Sequence, residues 1–128
     1  MKPLKALSIA AALSLSSFVL APLAGAQDRP LETYQALLSE RDHFNSQGVR
    51  LQTAAGIIRQ DRANYYVYRK RDPEDQADAF FASKANRDRL EKLILAGHTT
   101  GSANAAVING TPLIRVEVYE NYINVFVM

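Results

Sequence analysis

LIRVEVYENYINVFVM, residues 113–128, alternates apolar and polar side chains on both sides of Glu120-Asn121. Folded back on that dipeptide, it sets Val118 opposite Ile123, Val116 opposite Val125 and Ile114 opposite Val127, all apolar and all on one face. The other face receives Arg115 with Phe126, Glu117 with Asn124 and Tyr119 with Tyr122. A slip of one residue would turn every apolar side chain to the wrong side, so the pattern specifies an antiparallel hairpin in a single register. Asn121 tolerates a positive φ better than Glu120, which leaves a four-residue loop as the alternative to a two-residue one. A hairpin is marginal alone, so helices must cover its apolar face. Its VFVM edge needs a cover too, either another strand, with residues 65–69 as the candidate, or another chain.

Upstream of the hairpin the patterning is helical. LETYQALLSERDHF places Leu31, Tyr34, Leu37, Leu38 and Phe44 near one side of a helix that stops at the turn formers from Asn45 to Gly48. A second helix is expected over residues 49–62, on the stripe Leu51, Ala54, Ala55, Ile58 and Arg62. Tyr65, Tyr66, Val67 and Tyr68 then favour an extended segment or a frayed helix end. Asp72-Pro73-Glu74-Asp75 reads as a helix start, with Asp72 as cap, Pro73 in the first helical position, and Ala77, Phe80 and Phe81 buried. Ser83 caps a further helix with Ala85, Leu90, Leu93 and Ile94 inward and an Arg87–Glu91 pair outward; Gly97 ends it in a left-handed conformation. Ser102 caps a last short helix through Ile108. The expected fold is α+β, with four to five short helices followed by a C-terminal antiparallel β-hairpin packed on them.

The N-terminus reads as an export signal of the bacterial type. Lys2 and Lys5 precede the apolar run LSIAAALSLSSFVLA, and Ala24-Gly25-Ala26 offers small residues at the two positions inspected on cleavage. Residues 1–26 are therefore expected to be a cleavable signal and residues 27–128 a single small domain. The charge argument changes with that removal. The 128-residue chain has 15 Lys plus Arg against 13 Asp plus Glu, and Lys2 and Lys5 leave with the signal, so the remainder is balanced. Non-specific affinity for nucleic acid or anionic membrane comes from excess positive charge, so neither is an expected partner, and no stable membrane insertion is expected after cleavage. With no cysteine and only His43 and His98, the chain lacks the ligands of a zinc or iron–sulfur site, and no cofactor is expected.

Chemistry-bearing residues are sparse. His43 has Glu40 and Asp42 near it in sequence, but adjacent side chains on a helix do not face each other, and a histidine in a last helical turn already answers the helix dipole. His98 sits among hydroxyls in GHTTGS without a nucleophile motif around it. Glu40 with Asp42, or the acids from Asp72 to Asp78, have the chemistry of a glycosidase pair, yet acids at a helix start have a structural reason to be there. The stretch YYVYRKR, residues 65–71, remains. Tyr65, Tyr66, Tyr68, Arg69, Lys70 and Arg71 combine the residue types enriched at binding hot spots, although the acids after them offer partial neutralisation. The expected function is a small exported, non-enzymatic protein-interaction module, periplasmic or secreted, with a homodimer or an envelope protein as partner. Two alternatives stand beside it. One is a hydrolase of cell-wall material with His43 or an acidic pair as base, and the other a binder of an anionic envelope ligand through Arg69, Lys70 and Arg71.

Overall fold

The computed structural model describes residues 29–128, together with residues 2 and 3. The signal segment expected over residues 1–26 otherwise lies outside the described residues. The fold is α+β, with a three-stranded antiparallel sheet of order β1-β2-β3 and four helices. Strands β2 (Leu113–Val118) and β3 (Ile123–Val127) form the C-terminal hairpin in the expected register, Val118 facing Ile123, Val116 facing Val125 and Ile114 facing Val127. Four residues join the strands, with the Tyr119 N–H donating to the Tyr122 carbonyl (3.0 Å) and the two rings stacked 4.3 Å apart.

The sheet gains its third strand where a helix was expected. Residues 32–37 form β1 (Glu32–Leu37), antiparallel to β2, with Tyr34 opposite Val116 and Ala36 opposite Ile114. The segment carries both periods, because Tyr34, Ala36 and Leu38 alternate as cleanly as Tyr34, Leu37 and Leu38 make a helical stripe, and those three alternating side chains are the buried ones. An open edge of β2 decides between the periods, since pairing satisfies backbone groups that a helix would leave exposed. Only a short 3-10 turn (Glu40–His43) follows.

The core lies between one sheet face and the helices. Ile114, Val116, Val118, Ile123 and Val125 meet Ile57 and Ile58 of α1 (Ala54–Ala63), Leu90 and Leu93 of α3 (Leu90–Ala96) and Val107 of α4 (Gly101–Asn109). Helix α1 starts later than residue 49 because the Asn45 carboxamide holds a turn, accepting from the N–H groups of Gln47 and Val49 (2.9 Å each), and Thr53 supplies the cap by accepting from Gly56. Thr100 rather than Ser102 caps α4.

The helix expected at Asp72 is also absent. Residues 72–75 close a turn in which the Asp75 N–H donates to the Asp72 carbonyl (3.0 Å) and the Asp72 N–H to the Asp75 carboxylate (2.8 Å). Ala77 is exposed, and only a 3-10 turn (Phe80–Ala82) buries Phe81. Long-range partners outweigh a short helix whose nucleation is unfavourable. Asp75 accepts from the Leu37 N–H (2.9 Å), while Gln76 accepts from the Gln35 N–H with its side chain and donates to the Gln35 carbonyl with its backbone (2.9 Å each), so this loop covers the outer edge of β1.

The opposite edge, on β3, is covered by the loop after α3 and not by residues 65–69. The Val125 N–H donates to the His98 carbonyl (3.1 Å), and the Asn124 side chain accepts from the His98 N–H (2.8 Å). Gly97 sits there with φ −100°, outside the left-handed region, so its role is close approach. A Cβ on it would lie 1.7 Å from the Ile123 carbonyl oxygen. The helix expected from Ser83 to Gly97 is broken at Arg89 into α2 (Lys84–Asp88), capped by Ser83, and α3. That break turns Ala85 outward and Arg87 inward, where Arg87 donates to the Phe81 and Ala82 carbonyls (2.9 and 3.0 Å) in place of pairing with Glu91.

Candidate functional site

The six residues from Tyr65 to Arg71 singled out in the sequence do not form one surface. Helix α1 runs on into a π-helical turn (Asn64–Tyr68), and the extra residue per turn rotates successive tyrosines to different environments. Tyr65 is buried, at 7% exposure, with the Arg71 guanidinium 4.0 Å from its ring centroid. Tyr66 is half-buried, its hydroxyl bonded to the Asp78 carboxylate (2.8 Å) and carbonyl; burial pushes its pKa up to about 12. Val67 and Tyr68 point out, at 55% and 50% exposure. Arg69 ends the turn at φ 56°, the one non-glycine residue with positive φ among those described, and Lys70 follows on the surface.

Beneath this turn lies Arg62, fully buried on the inner face of α1. Its Nε donates to Asp61 (2.8 Å) and its Nη1 to Asp78 and to the Gln76 carbonyl (2.9 Å each), while its guanidinium lies 4.2 Å from the Tyr34 ring centroid and 4.8 Å from that of Tyr65. Burial pulls its pKa down, but Tyr34, Asp61 and Asp78 outweigh that and hold it raised. One cation faces two carboxyl groups there, and burial pushes Asp61 up to about 8. Arg62 Nη2 and the Tyr34 hydroxyl are buried without a hydrogen-bond partner among the described residues. Arg62 thus fastens α1, the loop of residues 76–78 and β1 together, which accounts for Asp78 as a structural group, as the Leu37 N–H accounts for Asp75.

Neither histidine assembles a catalytic group. His43 is 2% exposed, with Nδ1 2.8 Å from the Ser39 carbonyl and Nε2 2.8 Å from that of Val107, so both ring nitrogens are engaged by backbone oxygens. The Val107 carbonyl belongs to the last turn of α4, and the next one, of Ile108, accepts from Arg50 (3.1 Å), so two basic side chains cap that helix end. Asp42 is buried with its oxygens on Asn64 (2.8 Å) and on the Ser39 N–H (3.0 Å); burial raises its pKa against those hydrogen bonds. Glu40 is exposed, and Asp72 is bound to Arg41 (2.7 Å). His98 is exposed, its backbone engaged at the β3 edge. Among the described residues no group of three His, Asp or Glu side chains is placed to hold a metal ion, and no helix is long and apolar enough to cross a membrane.

Two clefts flank Tyr68. One, of about 400 Å³, is lined by Arg41, Phe44, Asn45, Gln60, Tyr68 and Lys70 among others. The other, of about 420 Å³, is lined by Leu51, Gly56, Ala63 and Val67 together with Arg59, Lys84, Arg87 and Asp88. Asp88, whose carboxyl is held below its ordinary pKa by the Lys84 hydrogen bond and Arg59, is the one carboxylate lining either. Arg41, Arg59 and Lys84 escaped the sequence reading because no local pattern marks them; three separate segments bring them to the clefts beside Tyr68. Compared with known protein families, with curated proteins and with solved structures, the chain matches none.

Proposed function

We propose that this is a small exported, non-enzymatic interaction module that engages a protein partner through the ridge of Val67, Tyr68, Arg69 and Lys70. The observation that carries this reading is the outward presentation of Val67 and Tyr68 on a π-helical turn between two clefts. Leu31, Val49, Leu95, Val127 and Met128 are exposed as well, but Val67 and Tyr68 lie together between two clefts, which makes them material for a contact surface. Arg69 adds to it. Glycine ordinarily fills the left-handed position after a helix, and arginine there costs on the order of 1 kcal/mol, a strain that places a cation beside Tyr68. Export rests on the signal pattern of residues 1–26.

The anionic-ligand alternative loses its three-cation cluster, since Arg71 turns back onto Tyr65 while Arg69 and Lys70 face outward. The hydrolase alternative has His43 and Asp42 fully engaged by structural partners. A photo-crosslinking residue at position 67, compared in the cell envelope with one at the exposed Thr33 on the far side of the sheet, tests the reading. A discrete protein adduct from position 67 that Tyr68→Ala suppresses is expected; equal adducts from both positions, or none, would overturn it.

A further inference from the structure

The surface around Tyr68 is positive in a domain whose charges balance as a whole. The two clefts are lined by Arg41, Lys70, Arg59, Lys84 and Arg87 against the single acid Asp88. Arg59 and Lys84 share Asp88, Arg41 is bound to Asp72, and Arg87 is buried on carbonyl groups. Arg69 and Lys70 are left, for which no described carboxylate lies within ion-pair distance. Lys70 lines the cleft that carries amides and rings, with Arg69 beside it in the chain; the cleft across Tyr68 has Leu51, Ala63 and Val67 in its lining.

We propose that the partner presents an acidic peptide segment with an apolar anchor, the anchor side chain seated in the apolar cleft and a carboxylate beside Lys70 and Arg69, the chain crossing over Tyr68. Three features of the surface fit that occupant. The apolar part of the cleft lining, Leu51, Ala63 and Val67, matches an aliphatic or aromatic side chain, which gains from leaving water. The unpaired cations match carboxylates and repel basic segments, so charge supplies the discrimination. Tyr68 offers a rigid amphipathic face of the kind found at the centre of binding hot spots. The positive face also suits a single nucleic-acid strand, but that occupant leaves the apolar lining of Leu51, Ala63 and Val67 without a partner side chain.

This inference rests on the interaction reading above. Selection of a displayed random 12-residue peptide library on the immobilised full-length protein tests it, followed by titration of an enriched synthetic peptide and of a 12-residue oligothymidine. The expected result is enrichment of sequences joining Asp or Glu to Leu, Ile or Phe. Affinity of the enriched peptide should fall at least about tenfold in Lys70→Glu, in Tyr68→Ala and on raising salt from 50 to 500 mM. Both positions are exposed, and circular dichroism checks that the variants keep their fold. Enrichment without acidic bias, acidic peptides indifferent to Lys70→Glu, or tighter binding of the oligonucleotide would each overturn it. A position-67 adduct in cells combined with any of these outcomes would leave the interaction reading standing and sink only the acidic partner.

Discussion

At the scale of single residues, two positions set stability against another demand. Arg69 occupies a left-handed conformation that glycine adopts freely. Arg69→Gly is expected to raise unfolding free energy by up to about 1 kcal/mol in urea titrations while weakening partner adducts at position 67. A variant that is both less stable and fully competent would count against the role given to Arg69. Asp61 makes the second case. Its carboxyl moves from an ordinary 3.8 to about 8 on folding, because burial penalises its charge more than Arg62 favours it. The folded state therefore holds a proton the unfolded chain has released, and the stability from this group, complete below about pH 4, is lost as pH rises towards 8. Asp61→Asn removes that dependence. Urea unfolding at pH 4, 6 and 8 should show the variant gaining on the parent by about 1 kcal/mol or more across the range, and a constant difference would refute the assignment. Neither property is visible in the one-letter string, where Arg69 is one of three cations and Asp61 an ordinary polar residue on a helix.

At the scale of elements, the sheet edges govern what surrounds them. Both outer strands are covered by loops, β1 by Asp75 and Gln76 and β3 by Gly97 and His98. Such covers block edge-to-edge pairing between molecules. Gly97→Ala puts a methyl group inside the van der Waals envelope of the Ile123 carbonyl, which must push the loop off β3. The expected loss is about 3 kcal/mol or more, with concentration-dependent association from the freed edge, seen by chemical denaturation and light scattering. A monomer of parental stability would contradict the packing. The hairpin was legible because strict alternation with matched pairs on both faces admits one register. Strand β1 was not, because its short apolar set satisfies two periods and only the β2 edge selects one. The Asp72-Pro73 segment failed similarly, as a good local helix start whose acids have stronger partners 30 or more residues away.

At the scale of the whole molecule, one core lies between a sheet face and the helices, and β2 is its centre, paired on both sides. Native-state hydrogen exchange should find the slowest amides in β2, with residues 67–70 exchanging at least about 100-fold faster because their side chains are exposed and their backbone ends a helix. Uniform protection would mean that the ridge at Tyr68 is buttressed in a way the fold does not show. The sequence by itself determined the α+β class, the hairpin and its register, the lack of cysteine and soft metal ligands, and the existence of helices around Ile58, Leu93 and Val107. Those features depend on local periodicity and residue chemistry, which a chain carries wherever it is folded. Only the tertiary structure decided that residues 32–37 pair with β2, that Arg62 is buried between two carboxyl groups, and that Tyr65, Tyr66 and Tyr68 part company. These outcomes depend on groups far apart in the chain satisfying one another's charges and hydrogen bonds, and no local pattern encodes which of them meet.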